Sequence, residues 1–142
     1  MRVSDVLKRK GDMVVTAAPD ATCRDLLAIL AQHNIGAVVV SPDGVAVAGI
    51  ASERDVVRHL HERGDAVLDG PVSAIATKVV ATCSLEDSID ELRETMTLRR
   101  IRHIPVVADE RLIGIVSIGD VVKSAISELE TERQQLIAYL QS

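Results

Sequence analysis

The chain has 142 residues, 47% of them hydrophobic and 26% charged, with a formal net charge of −5. That balance excludes a disordered chain and an electrostatic nucleic-acid footprint, and the length allows one compact domain or two very small ones. No apolar run reaches the length of a membrane span, so no membrane partner is expected.

The chain opens on "MRVSDVLKRK", which is charged and lacks the apolar region of a signal peptide. Cys23 and Cys83 form neither a C-x-x-C pair nor a disulfide framework, so a reducing cytoplasm is the expected setting. A short strand-like run follows at 14–16. Thr22 and Asp25 stand at capping-box spacing ahead of "LLAIL", which predicts a helix from about residue 22 to 33. "AVVV" at 37–40 reads as a buried strand and "SPDG" at 41–44 as a turn, with "VAVAGIA" at 45–51 returning as the antiparallel partner. Ser52 opens a second helix carrying Val56, Val57 and Leu60, which stops at Gly64. Residues 65–71 read as a linker.

From residue 72 the pattern starts again. "VVTAAPDATCRDLLAIL" (14–30) matches "VATCSLEDSIDELRETM" (80–96) in pattern, and "IGAVVV" (35–40) matches "IRHIPV" (101–106) at the same offset. After a turn one residue shorter, "GIASERDVV" (49–57) matches "GIVSIGDVV" (114–122), and "VSDVL" (3–7) has its counterpart in "VSAIA" (72–76). The chain is an internal duplication: two copies of one strand-helix-strand-strand-helix unit, neither expected to bury its apolar face alone. The copies are 1–64 and 72–127. The last helix overshoots, from about Ile118 to Tyr139, so residues 128–142 form a helical extension with Leu129, Leu136 and Leu140 on one stripe. That stripe fits a homodimer contact, a docking helix, or a cover for the unit's own flank.

The duplicated β-α-β-β-α unit, with "IRHIPVV" before a hairpin and "GIASERD" or "GIVSIGD" at its end, resembles the cystathionine-β-synthase (CBS) domain. Two copies resemble a CBS pair, or Bateman module, most similar to stand-alone bacterial proteins with "SERD" in the first copy and "SIGD" in the second. The resemblance covers roughly residues 3–127. It implies an α/β (α+β) fold in which the two repeats pack through their sheets with pseudo-twofold symmetry, and modules that commonly dimerise. It also implies clefts that take adenosine-containing ligands such as AMP, ADP, ATP, NAD(H) or S-adenosylmethionine, in a sensor that signals to a regulated protein.

The residues suit that chemistry. A serine at a helix start leaves backbone N–H groups and the positive dipole end facing a phosphate. An aspartate one turn in can accept both hydroxyls of a ribose diol. The family roles carry over to Ser52 and Asp55 and to Ser117 and Asp120. Ser-x-x-Asp ahead of an apolar run is also a plain capping box needing no ligand, and the two roles can coexist. In the family the remaining walls come from the other copy. This implies Thr77, Lys78, Val79, Ala81 and Ile101 near Asp55, and the 11–15 loop with Met13 and Val15, together with Ile35, near Asp120. With one Tyr and no Phe or Trp, adenine would lie between Val and Ile side chains. Arg102 and His103 stand where some relatives place basic residues for phosphates, and Arg54 adds charge where the second copy has Gly119. The Asp55 cleft is therefore expected to favour a multiply phosphorylated ligand.

No catalytic constellation is legible, and neither an enzymatic activity nor a required cofactor is expected. His59 and His61 diverge on one helix and make a poor metal pair. Cys83 reads as a buried structural thiol, with a redox role as the alternative. Two functions remain: a regulatory module binding an adenine nucleotide, or a structural and partner-interaction module whose clefts are vestigial.

Overall fold

The computed structural model describes residues 1–11, 14–79 and 81–142. The first repeat comprises α1 (Val3–Lys10), β1 (Thr16–Ala17), α2 (Cys23–His33), β2 (Ala37–Val40), β3 (Gly49–Ser52) and α3 (Glu53–Arg63). Two 3-10 turns, Asp65–Asp69 and Val72–Ala74, lead into α4 (Ile89–Arg99), β4 (His103–Ala108), β5 (Arg111–Ser117) and α5 (Ile118–Gln141). Strands β1, β2 and β3 form one sheet, with β1 parallel to β2 and β3 antiparallel to it. The β4–β5 hairpin forms the other, and Cys83 bridges to Val106 in parallel where the first repeat has β1.

The helix starts follow the sequence. Thr22, Ser52, Ser88 and Ser117 each accept a hydrogen bond from the backbone N–H three residues on, satisfying a donor the helix would leave orphaned. α3 ends at Gly64, which takes φ +80° at no steric cost. The first hairpin is shorter than "VAVAGIA" predicts. The Asp43 carboxylate captures the N–H groups of Val45 and Ala46, so those residues leave the ladder, and β3 begins only at Gly49. The Val45 carbonyl instead accepts from the Leu112 N–H, tying the first repeat to β5.

The two cores exchange their leading segments. Val72 and Ile75, at the start of the second repeat, lie in the core of the first with Leu26, Val38 and Val56. Val3 and Val6, at the start of the chain, lie in the core of the second with Leu92, Ile104 and Val116. Burying each of these side chains is worth about 1.5–3 kcal/mol, so each repeat depends on the other for part of its core. The 65–71 segment belongs to this packing as well: Val67 is buried in the first core.

Candidate functional site

The exchange places a strap from one repeat across the helix start of the other. Residues 72–79 return to β3, where Ile50 and Thr77 trade both backbone hydrogen bonds, at 2.9 and 2.8 Å. Gly49 makes this approach possible, since a Cβ there would stand 3.0 Å from the Thr77 carbonyl oxygen. The strap, the start of α3 and the entry to β4 enclose a cleft of about 410 Å³. Of the residues expected at a binding site, ten line it. Ser52, Arg54 and Asp55 come from the first repeat; Thr77, Lys78, Val79 and Ala81 from the strap; Ile101, Arg102 and His103 from the entry to β4.

Asp55 sits at the floor and is buried. Its Oδ2 accepts from the Ser52 N–H at 2.9 Å and the Ser52 hydroxyl at 3.0 Å, while Oδ1 accepts from the Thr77 hydroxyl at 3.2 Å. The Asp55 N–H in turn donates to Ser52 Oγ at 3.2 Å. The capping box is therefore formed, and the same carboxylate faces the cleft. One expectation needs correcting. The first turn of α3 does not offer a row of open N–H groups, because that of Glu53 donates to the Gly36 carbonyl and that of Asp55 to Ser52.

Positive charge at the cleft comes from side chains instead. Among the described residues, Arg54, Arg58, Lys78, Arg100 and Arg102 line it against two carboxylates, Glu53 and Asp55. On a chain of net charge −5 this is a local reversal of sign. Burial lowers the pKa of His103, and Lys10 and Arg102 push the same way against Asp120 and Asp55. Sequence reasoning missed Gly36, Ile50, Glu53, Arg58 and Arg100 as lining residues. Arg58, three residues after Asp55 on α3, was accessible through helical spacing. Arg100 was not, because it enters from the left-handed C-cap of α4 at φ +55°.

The matching helix start of the second repeat is built differently. Ser117 and Asp120 form the same capping box, with Ser117 N–H to Asp120 Oδ2 at 2.9 Å. Here Lys10, the last residue of α1, donates to Asp120 Oδ2 at 2.8 Å and to the Ile115 carbonyl at 2.7 Å. Burial works to raise the Asp120 pKa, but the Lys10 bond and those from Ser117 outweigh it and hold the carboxyl below its ordinary value. Of the residues expected near Asp120, Val15 packs against the first core and Ile35 is exposed. Met13 lies outside the described residues.

Both thiols are buried, and burial, aided by Asp87, pushes the Cys83 pKa up to about 12. Among the described residues no cluster of three His, Cys, Asp or Glu could hold a metal, and no helix is long and apolar enough to cross a membrane.

The CBS domain family model matches twice, over residues 3–62 and 72–127. The chain belongs to the CBS-domain family. It is a CBS pair, with the mixed α/β fold and paired repeats of that family. It is 39% identical over 147 residues to a mitochondrial CBS domain-containing protein of Arabidopsis thaliana, covering 98% of this chain and 71% of the relative. A CBS-domain-containing protein from Agrobacterium tumefaciens superposes with a TM-score of 0.83 at 45% identity, over 88% of this chain and 99% of that one. A CBS domain protein from Pyrobaculum aerophilum, solved in complex with AMP, superposes with a TM-score of 0.76 at 30% identity, over 92% and 99%.

Proposed function

We propose that this CBS pair is a regulatory module that binds an adenine nucleotide in the Asp55 cleft and passes the signal to a partner protein. The observation that carries the reading is the pairing of a buried, cleft-facing carboxylate with five cations at the rim. Asp55 suits a ribose diol, aliphatic Ile50, Val79 and Ile101 suit the faces of adenine, and the arginines suit phosphates. AMP in the Pyrobaculum aerophilum relative supports the adenosine class. Five cations favour a chain of two or three phosphates over one, which would make the module a sensor of energy state. Binding signals only if the ligand prefers one arrangement of the two repeats over another. Strap and helix start belong to different repeats, so a ligand touching both is placed to sense their arrangement.

The regulated protein is met in the cytoplasm, and the module works as a homodimer. In α5, residues 129–141 are all exposed, and a helical segment of that length is marginal in water on its own. Val122, Ile126, Leu129, Leu136 and Leu140 recur at alternating four- and three-residue spacing, with Arg133 completing the row. This is a coiled-coil seam.

Thermal unfolding against AMP, ADP, ATP, NADH and S-adenosylmethionine tests the ligand reading, because a ligand that binds only the native state raises Tm by mass action. A saturable shift with ATP or ADP exceeding that with S-adenosylmethionine is expected. The alternative is an interaction module with vestigial clefts. It is favoured by the fact that both Asp55 oxygens already have partners within the chain, and it predicts no shift with any of the five.

A further inference from the structure

We propose that the Asp55 cleft continues past its arginines into a second subsite, which takes an uncharged ring carried on the outer phosphate of the nucleotide. The ligand class is then an adenosine polyphosphate capped at its far end by a ring-bearing group, the form a dinucleotide has. The inference deepens the nucleotide-binding reading of the Asp55 cleft and rests on it.

A second cavity, of about 400 Å³, lies beside the first, and the two share Arg54, Arg100, Ile101 and Arg102 as lining residues. These four form the boundary. Beyond it the walls are completed by Met96 and Thr97, near the end of α4, and by Ile118, the first residue of α5. The two cavities differ in what they can hold. The first contains Asp55, which suits a ribose diol. Among the described residues no carboxylate lines the second, so hydroxyls meet no charged acceptor there. The Thr97 hydroxyl already donates to the Arg93 carbonyl at 2.9 Å. What remains is an apolar lining of Met96, Ile101 and Ile118, beside guanidinium planes on which a ring can stack.

Charge is concentrated at the boundary itself. Arg54, Arg100 and Arg102 have no ion-pair partner among the described residues. Three unneutralised guanidinium groups between two cavities suit a phosphate chain that has a group attached at each end. A nucleotide that stopped at its last phosphate would use the arginines and leave the apolar cavity to water.

The walls are set by packing that needs no ligand. Met96 is buried in the second core, and Ile101 packs against that core. The left-handed turn at Arg100 folds the chain back, so that the Ile101 N–H donates to the Met96 carbonyl at 3.1 Å. Ile118 is held over the same segment by its N–H, which donates to the Arg102 carbonyl at 2.8 Å. A preformed pocket costs a ligand little in ordering the protein.

Calorimetric titration with two esters of ATP tests this, one carrying methyl and the other phenyl on the γ-phosphate. The esters have equal charge, so the ratio of their affinities isolates the ring. The unaltered protein is expected to bind the phenyl ester about tenfold more tightly, the scale of burying part of an aromatic ring. That ratio is expected to fall toward one in Ile118→Ser, which removes an apolar wall. It should fall likewise in Thr97→Trp, which fills the cavity from an exposed helix position and guards against a local folding defect in the first variant. Asp55→Ala is expected to weaken both esters together. Equal affinity for the two esters in the unaltered protein, or a preference for phenyl that survives both substitutions, would overturn the subsite. The Asp55 reading would still stand if Asp55→Ala weakened both esters. Absence of binding of ATP and of either ester would overturn both.

Discussion

The Thr77 hydroxyl of the second repeat donates to the Asp55 carboxylate of the first at 3.2 Å. This contact joins the helix start that carries the repeated Gly-Ile-x-Ser-x-x-Asp motif to the strap that the other copy lends. Whatever enters the cleft meets both repeats there, which is the geometric requirement for a ligand to alter their packing.

The cationic rim gives a prediction that depends on phosphate number. Arg54→Ala and Arg102→Ala are each expected to weaken ATP binding by roughly tenfold, the scale of one charge-assisted contact, and AMP binding by less. Equal losses for AMP and ATP in titrations at fixed salt would place these arginines away from the outer phosphates.

His103 supplies a dependence on pH. Its folded pKa lies below the ordinary value, chiefly through burial. As pH falls below about 6.5, the unfolded chain therefore takes up a proton that the folded chain refuses. Stability from this source is full above that pH and declines below it. Urea midpoints measured between pH 7.5 and 5.5 are expected to fall, and to fall less steeply in His103→Gln. Parallel curves for the two proteins would contradict the assignment.

The thiols are predicted to be inert in the native state. Burial raises the pKa of both, and that of Cys83 reaches about 12, so the nucleophilic thiolate is scarce at pH 8. Ellman's reagent should label neither Cys23 nor Cys83 until the chain unfolds. Rapid labelling of native Cys83 would instead favour a redox role.

The seam on α5 predicts the oligomeric state. Leu136 is 59% exposed, so Leu136→Glu costs the folded monomer little, within about 0.5 kcal/mol, and should shift the sedimentation of a dimer toward the monomer. Leu140→Cys, at a core position of a parallel pair, should form an interchain disulfide on oxidation. A dimer indifferent to both changes would place the contact elsewhere.

Much of the Asp55 site was legible because repetition isolates function from accident. One Ser-x-x-Asp is a cap, whereas two in register point to a shared geometry, and family resemblance supplied the strap residues that line the same cleft. Less legible was anything set by the path of the chain. "VAVAGIA" has the composition of a strand, but the Asp43 side chain withdraws its first residues from the ladder. The contact of Lys10 with Asp120 spans 110 residues, and it follows from α1 staying helical to Lys10 where its counterpart keeps only the 3-10 turn Val72–Ala74. No local pattern in "VLKRK" announces that difference. Likewise, the similarity of "VSDVL" to "VSAIA" marked a repeat without showing that each segment serves the other's core.

The central claim is that Asp55 holds a nucleotide as well as capping a helix. Calorimetric titration of ATP into the unaltered protein and into Asp55→Ala tests it most directly, with thermal unfolding of both proteins as a control for the lost cap, worth about 1–3 kcal/mol. Saturable binding to the unaltered protein, weakened at least a hundredfold in a folded Asp55→Ala, is the predicted result. Equal binding by the two proteins, or none by either, would contradict it.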